Sequence, residues 1–196
     1  MLLKVIWANQ AETGLEHFYL QPGEQEIIAD GVVIGVEEGA AFRIRYQIHC
    51  DLKWQVRKVV VQTLEEDELT LRFVSDGLGH WIDSYDSPIP ELDGCIDVDI
   101  TATPFTNTLP IRRLNLSPGE AAEVRVVYFI IPQMYVRAEP QRYTCLETSN
   151  AGGKYRFESL TDGFTAEITV DADGLVEDYP GLFRRVWKDA DSTGTA

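Results

Sequence analysis

The chain has 196 residues, enough to bury a sizeable core, with 44% hydrophobic and 25% charged residues, as soluble globular proteins have. Its formal net charge is −15. A field of that sign excludes nucleic acid and an anionic membrane surface as long-range partners.

The N-terminal stretch MLLKVIWANQAETG lacks the long apolar core and cleavage site of a secretion signal. No run approaches the ~18 apolar residues of a membrane span. Cys50, Cys95 and Cys145 are odd in number and far apart, with no CxxC. They predict free buried thiols in a reducing compartment, so the expected address is the cytoplasm.

Most apolar segments alternate with period 2 or form short solid runs between turn residues. Strands are expected at Leu3 to Ala8, Glu16 to Leu20 and Gly31 to Val36. The clearest is Phe42 to Cys50. There Phe42, Ile44, Tyr46, Ile48 and Cys50 share one face, and Arg43, Arg45, Gln47 and His49 the other. Trp54 to Gln62, Leu69 to Ser75 and His80 to Ser84 follow after short links, as in a meander.

Pro88 and Pro90 then break the pattern before the chemically densest stretch, Leu92 to Leu114. Its first half alternates, with Cys95, Asp97, Asp99 and Thr101 on one strand face. Its second half turns at Pro104 and again at Pro110, then presents Arg112 and Arg113. Further strands are expected at Glu123 to Ile131, Gln141 to Glu147, Lys154 to Leu160, Phe164 to Asp171 and Leu175 to Tyr179. Asp162-Gly163 is a hairpin signal. The stretch PGLFRRVWKDA from Pro180 reads as a C-terminal helix with proline in its first turn. So many strands joined by short turns predict a mainly all-β domain over residues 1–188. Its antiparallel, strongly curved sheet forms a split or incomplete β-barrel, with one short C-terminal helix and a flexible tail over 189–196.

Arginine far outnumbers lysine, and its planar fork suits paired or buried positions. Arg43 and Arg45 lie on the polar face of the Phe42 to Cys50 strand, with Arg57, Trp54 and Arg72 on the next strands and Trp81 beyond. Trp54 and Arg57 have opposite parity, so without a bulge only one joins that face. The cluster is either a solvated outer face or the lining of a polar pocket, where arginine binds phosphate or carboxylate and tryptophan offers a flat surface.

Asp97 and Asp99 lie ~6.6–6.8 Å apart in backbone rise, which overlaps the carboxylate spacing of an inverting glycosidase. The alternative is a salt bridge to an arginine such as Arg112. Asn107, in the loop between Pro104 and Pro110, is open to either a structural or a ligand role. His17, His49 and His80 are scattered, without HxH or HExxH spacing. No GxSxG, phosphate-cradling glycine loop or dinucleotide fingerprint occurs, so no metal and no cofactor are expected.

The run DGCIDVDITATPFTNTLPIRRL, together with CDLKW, DGLGHW, PELDGC, QRYT and DYPGLFRR, resembles the bacterial glycolipid-binding protein family. The resemblance spans most of the chain, and TPFTNTLPIRRL is its specific signature. It implies a split barrel similar to carriers of lipoprotein and lipid, with no assigned catalytic residues. The expected function is non-enzymatic binding of a glycolipid or other amphipathic small molecule in a cavity lined by Arg, Trp and Asp. Arg43, Arg45, Trp54, Arg57, Arg72, Trp81, Asp97, Asp99, Asn107 and Arg112 are the candidate ligand-binding residues. The alternatives are a hydrolase with Asp97 and Asp99 as acid and base, and an interaction module that uses an exposed sheet edge.

Overall fold

Alternation decides which face of each strand turns inward, and here it bends one sheet around two cores. The structure, a computed structural model, describes residues 2–189. The first strands are β1 (Leu3–Asn9), β2 (Gly14–Pro22), β3 (Ile27–Glu37), β4 (Ala40–Cys50), β5 (Val56–Thr63), β6 (Thr70–Ser75) and β7 (Trp81–Ile82). The short β8 (Asp97–Ile100) leads into a 3-10 turn at Phe105–Asn107 and the helix α1 (Thr108–Leu114). The return strands are β9 (Ala121–Ile130), β10 (Tyr135–Ser149), β11 (Gly152–Ser159), β12 (Thr165–Asp171), β13 (Val176–Tyr179) and β14 (Phe183–Lys188).

All belong to one 14-stranded sheet, in the order β7-β6-β5-β4-β3-β2-β1-β14-β13-β12-β11-β10-β9-β8. The sheet curls but does not close, so β7 and β8 are its edges. Its pairs are antiparallel except β8 with β9, which is parallel. The two halves meet where β1 pairs with β14.

Each half wraps its own cluster. Trp7, Phe18, Ile44, Tyr46, Ile48, Val59 and Val61 face the first, while Tyr143, Cys145, Tyr155, Phe157, Ile168 and Tyr179 face the second. The β8 strand separates them. Val98 and Ile100 join the first cluster, while Asp97 and Asp99 reach the arginine, glutamine and threonine of the second half.

The segment from Ala102 to Ile111 is buried throughout and plugs the curled sheet. The Phe105 ring lies tilted against that of Phe18 with centroids 4.5 Å apart, and Leu109 is fully enclosed. A polar backbone survives there because neighbouring side chains satisfy it. Thr103 Oγ1 accepts the Phe105 N–H at 3.1 Å, and Asn107 Nδ2 donates to the Pro104 carbonyl at 3.2 Å. Thr108 Oγ1 donates to the Gly174 carbonyl at 2.8 Å.

Two expectations are corrected. The C-terminal helix from Pro180 is a hairpin arm instead. Leu182 N–H donates to Tyr179 O at 2.9 Å, and Gly181 has φ +77°, so Pro180-Gly181 is the centre of a type II turn joining β13 to β14. The β14 strand then supplies the second neighbour that β1 requires. The one α-helix of the described residues lies instead in the stretch expected to turn at two prolines. Pro110 is tolerated because it sits in the first turn of α1, where an N–H has no helical partner. Of the expected tail, Asp189 still donates its N–H to Lys4 O at 3.0 Å; the remainder lies outside the described residues.

Phe105→Ala is expected to remove about 3–5 kcal/mol of stability, because the plug cannot collapse onto Phe18 without moving the sheet. Urea denaturation checks this; a loss under about 1 kcal/mol would show that the plug is not packed as described.

Candidate functional site

The buried face of β2 should be apolar throughout, yet Glu16 sits there in phase with Phe18 and Leu20 and is 2% exposed. Its partner is Tyr46 on β4. Gly31 lies opposite Tyr46 across the β3–β4 pair, and a Cβ on it would fall 2.3 Å from the Tyr46 ring. With no side chain at Gly31, the ring lies across the sheet and its hydroxyl donates to Glu16 Oε1. Tyr46 Oη also lies 3.2 Å from Thr103 Oγ1 of the plug. Glu16 Oε2 has no hydrogen-bond partner. Burial pushes this carboxyl up to about 8, against the lowering effect of Tyr46 and Thr103.

A second polar group is built on the opposite half. Gln141 on β10 is 1% exposed and donates its Nε2 to Asp99 Oδ2 at 2.7 Å. Thr106 Oγ1 donates to Asp99 Oδ1 at 2.8 Å. Burial raises the Asp99 carboxyl; Gln141 and Thr106 oppose the shift, and nearby Glu139 adds to it. Gln141 Oε1 is left without a partner.

These groups line two adjoining chambers. One of about 290 Å³ is walled by Asp99, Tyr128, Arg137, Gln141, Phe157 and Tyr179. The other, of about 330 Å³, is walled by Trp7, Glu16, Phe42, Ala102 and Ile131. They share Thr101, Leu182 and Phe183. The second chamber in turn shares Gly14, Leu15, Ile34, Gly35 and Phe42 with an apolar surface groove of about 540 Å³. Leu15 and Ile34 face each other across the β2–β3 pair and are 46% and 53% exposed. A Cβ at Gly35 would meet the Phe42 ring at 2.9 Å, so glycine seats that ring between groove and chamber.

A further cavity of about 550 Å³ opens at the other end of α1. It is lined by Lys53, Trp54, Arg112, Arg113, Tyr155 and Asp171, among others.

The ten residues singled out in the sequence therefore separate. Asp99 and Asn107 line the smaller chamber, while Trp54 and Arg112 line the larger cavity. Arg43 borders the groove, 3.8 Å from Glu65. Arg45 is exposed on the outer face and forks onto Asp30, with its shortest contact at 2.5 Å; Arg72 is exposed on the same sheet. Arg57 is tied to Asp51 at 2.8 Å and lies against Gly77. Trp81 is core, its indole N–H donating to Cys95 O at 2.7 Å. Asn107 Oδ1 accepts from the Tyr143 hydroxyl at 2.9 Å.

Asp97 pairs with Arg113 at 2.6 Å and not with Arg112, because α1 turns adjacent side chains in different directions. Burial raises the Asp97 carboxyl and Arg113 opposes the shift. Neither chamber nor the larger cavity is lined by both aspartates, so the spacing that suggested an acid–base pair is not used as one. Glu16 and Gln141 were not among the residues singled out. Their signal was present: each is a polar residue in phase with the apolar face of its strand.

The profile of the family described as "Putative glycolipid-binding" matches residues 4–185. The chain belongs to this family. Among solved structures, a DUF1089-family protein of Pseudomonas aeruginosa shares the fold. The TM-score is 0.79 and the sequence identity 37%, covering 88% of this chain and 92% of that one. No curated protein matches the chain.

Burial makes the folded protein hold the Glu16 proton up to about pH 8, well above the ordinary carboxyl range near 4.5. The folded state therefore binds more protons across that window. The contribution of this group is fully present below the lower value and declines as pH rises toward the upper one, by about 1.4 kcal/mol per pH unit. Glu16→Gln, which stays neutral, is expected to flatten this slope in urea titrations between pH 5.5 and 8. An unchanged slope would mean that Glu16 is ionised in its pocket.

Proposed function

We propose that this protein is a non-enzymatic receptor for an amphipathic ligand of the glycolipid class. One observation carries the reading: an apolar groove runs into polar chambers that hold two buried, unpartnered oxygens, Glu16 Oε2 and Gln141 Oε1. Leaving such atoms unsatisfied costs about 1–3 kcal/mol each, and a ligand hydroxyl within reach recovers that cost. A sugar supplies many hydroxyls on a ring with apolar faces. The smaller chamber offers Tyr128, Phe157 and Tyr179 beside Asp99 and Gln141, a mixed lining suited to such a ring. The acyl chain takes the groove over Leu15, Ile34, Val36 and Phe42.

Of the expected lining, Asp99 stands at the chamber wall, while the arginine and tryptophan there are Arg137 and Trp7 rather than those singled out in the sequence. The family description and the mainly β fold support the ligand class. The hydrolase reading has no such support, since Asp97 is engaged by Arg113 and Asp99 by Gln141 and Thr106.

Calorimetry with octyl and dodecyl maltoside, and with maltose, tests this. The dodecyl glycoside should bind most tightly. Ile34→Glu, at an exposed position, should weaken it about tenfold and erase the chain-length dependence, a loss of about 1.4 kcal/mol. Gln141→Ala should weaken the maltosides without removing that dependence. Failure of every glycoside to bind, together with no lipid extracted from purified protein, would sink the proposal.

A further inference from the structure

The cavity at the C-terminal end of α1 differs in chemistry from the chambers. Most arginines of this acidic chain are held by carboxylates: Arg45 by Asp30, Arg57 by Asp51, Arg142 by Glu123, and Arg185 by Asp171 and Glu177. Arg112 and Lys53 have no carboxylate within ion-pair distance among the described residues, and both line this cavity. A third cation, Arg113, completes the wall, its charge balanced by Asp97. The lining carboxylate of Asp171 is already taken by Arg185 and Lys188.

The Arg112 fork is also held in place. Its guanidinium carbon lies 5.2 Å from the Trp54 ring centroid, a cation–π contact. Behind it is Gly174, at φ +78°, where a Cβ would stand 2.7 Å from Arg112 Cδ. Trp54 itself adopts φ +65°, a left-handed conformation costly for a bulky side chain. Asp51 enforces it. The Trp54 N–H donates to Asp51 O at 3.0 Å, and Asp51 Oδ1 accepts the N–H groups of Lys53 at 2.9 Å and Gln55 at 3.0 Å. The loop between β4 and β5 thus spends backbone strain on setting one aromatic face under one free guanidinium.

We propose that the Trp54–Arg112 cavity is a second binding site, specific for a small phosphomonoester of about the size of a sugar phosphate. Two unneutralised cations match a dianionic phosphate better than a carboxylate of single charge. A guanidinium ordered by stacking loses little further freedom on binding. The volume of about 550 Å³ lies within the range of small-molecule sites. The site is independent of the glycolipid reading, because the two sets of walls share no residue.

Titration calorimetry with glucose 6-phosphate, and with glucose as the neutral control, tests the site. Flotation with dioleoylphosphatidic acid vesicles against phosphatidylcholine vesicles separates a soluble phosphate from a lipid headgroup. The expected result is binding of glucose 6-phosphate and not of glucose. Arg112→Gln should weaken it at least tenfold and Lys53→Gln about threefold, both with unchanged thermal midpoints. Arg72→Gln, which removes an exposed arginine elsewhere, should leave it unchanged. Binding confined to phosphatidic acid vesicles, and lost in the same two variants, places the same chemistry on a lipid. The proposal is overturned if neither phosphate probe binds, if glucose binds as well as its phosphate, or if Lys53→Gln and Arg112→Gln bind like the wild type.

Discussion

Everything in this fold depends on satisfying a stretch of backbone that has no access to water. From Ala102 to Ile111 the chain runs inside the curled sheet, where an unpaired N–H or C=O costs far more than it does at a surface. The threonines and asparagine of this segment meet that constraint. Thr103 accepts the Phe105 N–H, Asn107 bonds back to Pro104 and across to Tyr143, and Thr108 reaches Gly174 on the far half. These polar side chains fix a plug between two cores.

The plug also organises the two candidate sites. Asn107, just before α1, faces one chamber, whereas Arg112 and Arg113, in its last turn, face the cavity beyond. Asn107 and Arg112 stand five positions apart along this helix, a rise of about 7.5 Å. The arginines stand where the helix carbonyls point outward, a favourable place for positive charge. At the other end, burial raises the carboxyls of Glu16 and Asp99 toward the neutral form. One short element thus divides a region suited to hydroxyl-rich ligands from one suited to anions.

Much of the fold was legible because alternation is a local signal. The Phe42 to Cys50 strand shows its faces in the sequence, and Ile44, Tyr46, Ile48 and Cys50 are indeed buried while Arg43 and Arg45 are exposed. The end of the chain was less legible. Pro180-Gly181 serves equally as a helix start or a turn, and the deciding fact is β1, whose free side must be paired by residues from the opposite end. The helix α1 was obscured by Pro104 before it and Pro110 within its first turn, which read as breakers until their positions are known. Of the site, the sequence marked Asp99, Asn107, Trp54 and Arg112. It did not separate them into two cavities, because that division depends on which non-local strand lies beside each residue. Gln141 and Asp99 are 42 positions apart, and Glu16 becomes conspicuous only once Gly31 admits the Tyr46 ring.

The β1–β14 seam bears on how the chain assembles. Strands β1 to β6 join neighbours close in sequence and can pair as they are made, but the outer side of β1 waits for β14. Until then each half-sheet keeps an unpaired edge, and neither has its mate against the plug. Closing the seam therefore brings together residues from opposite ends of the chain, the kind of high-separation contact that slows folding. It also makes the last strand of the described chain a condition for the first to be fully hydrogen-bonded. An emerging polypeptide on the ribosome would hold an open β1 edge, exposed to pairing with another chain, until the residues of β14 have been made.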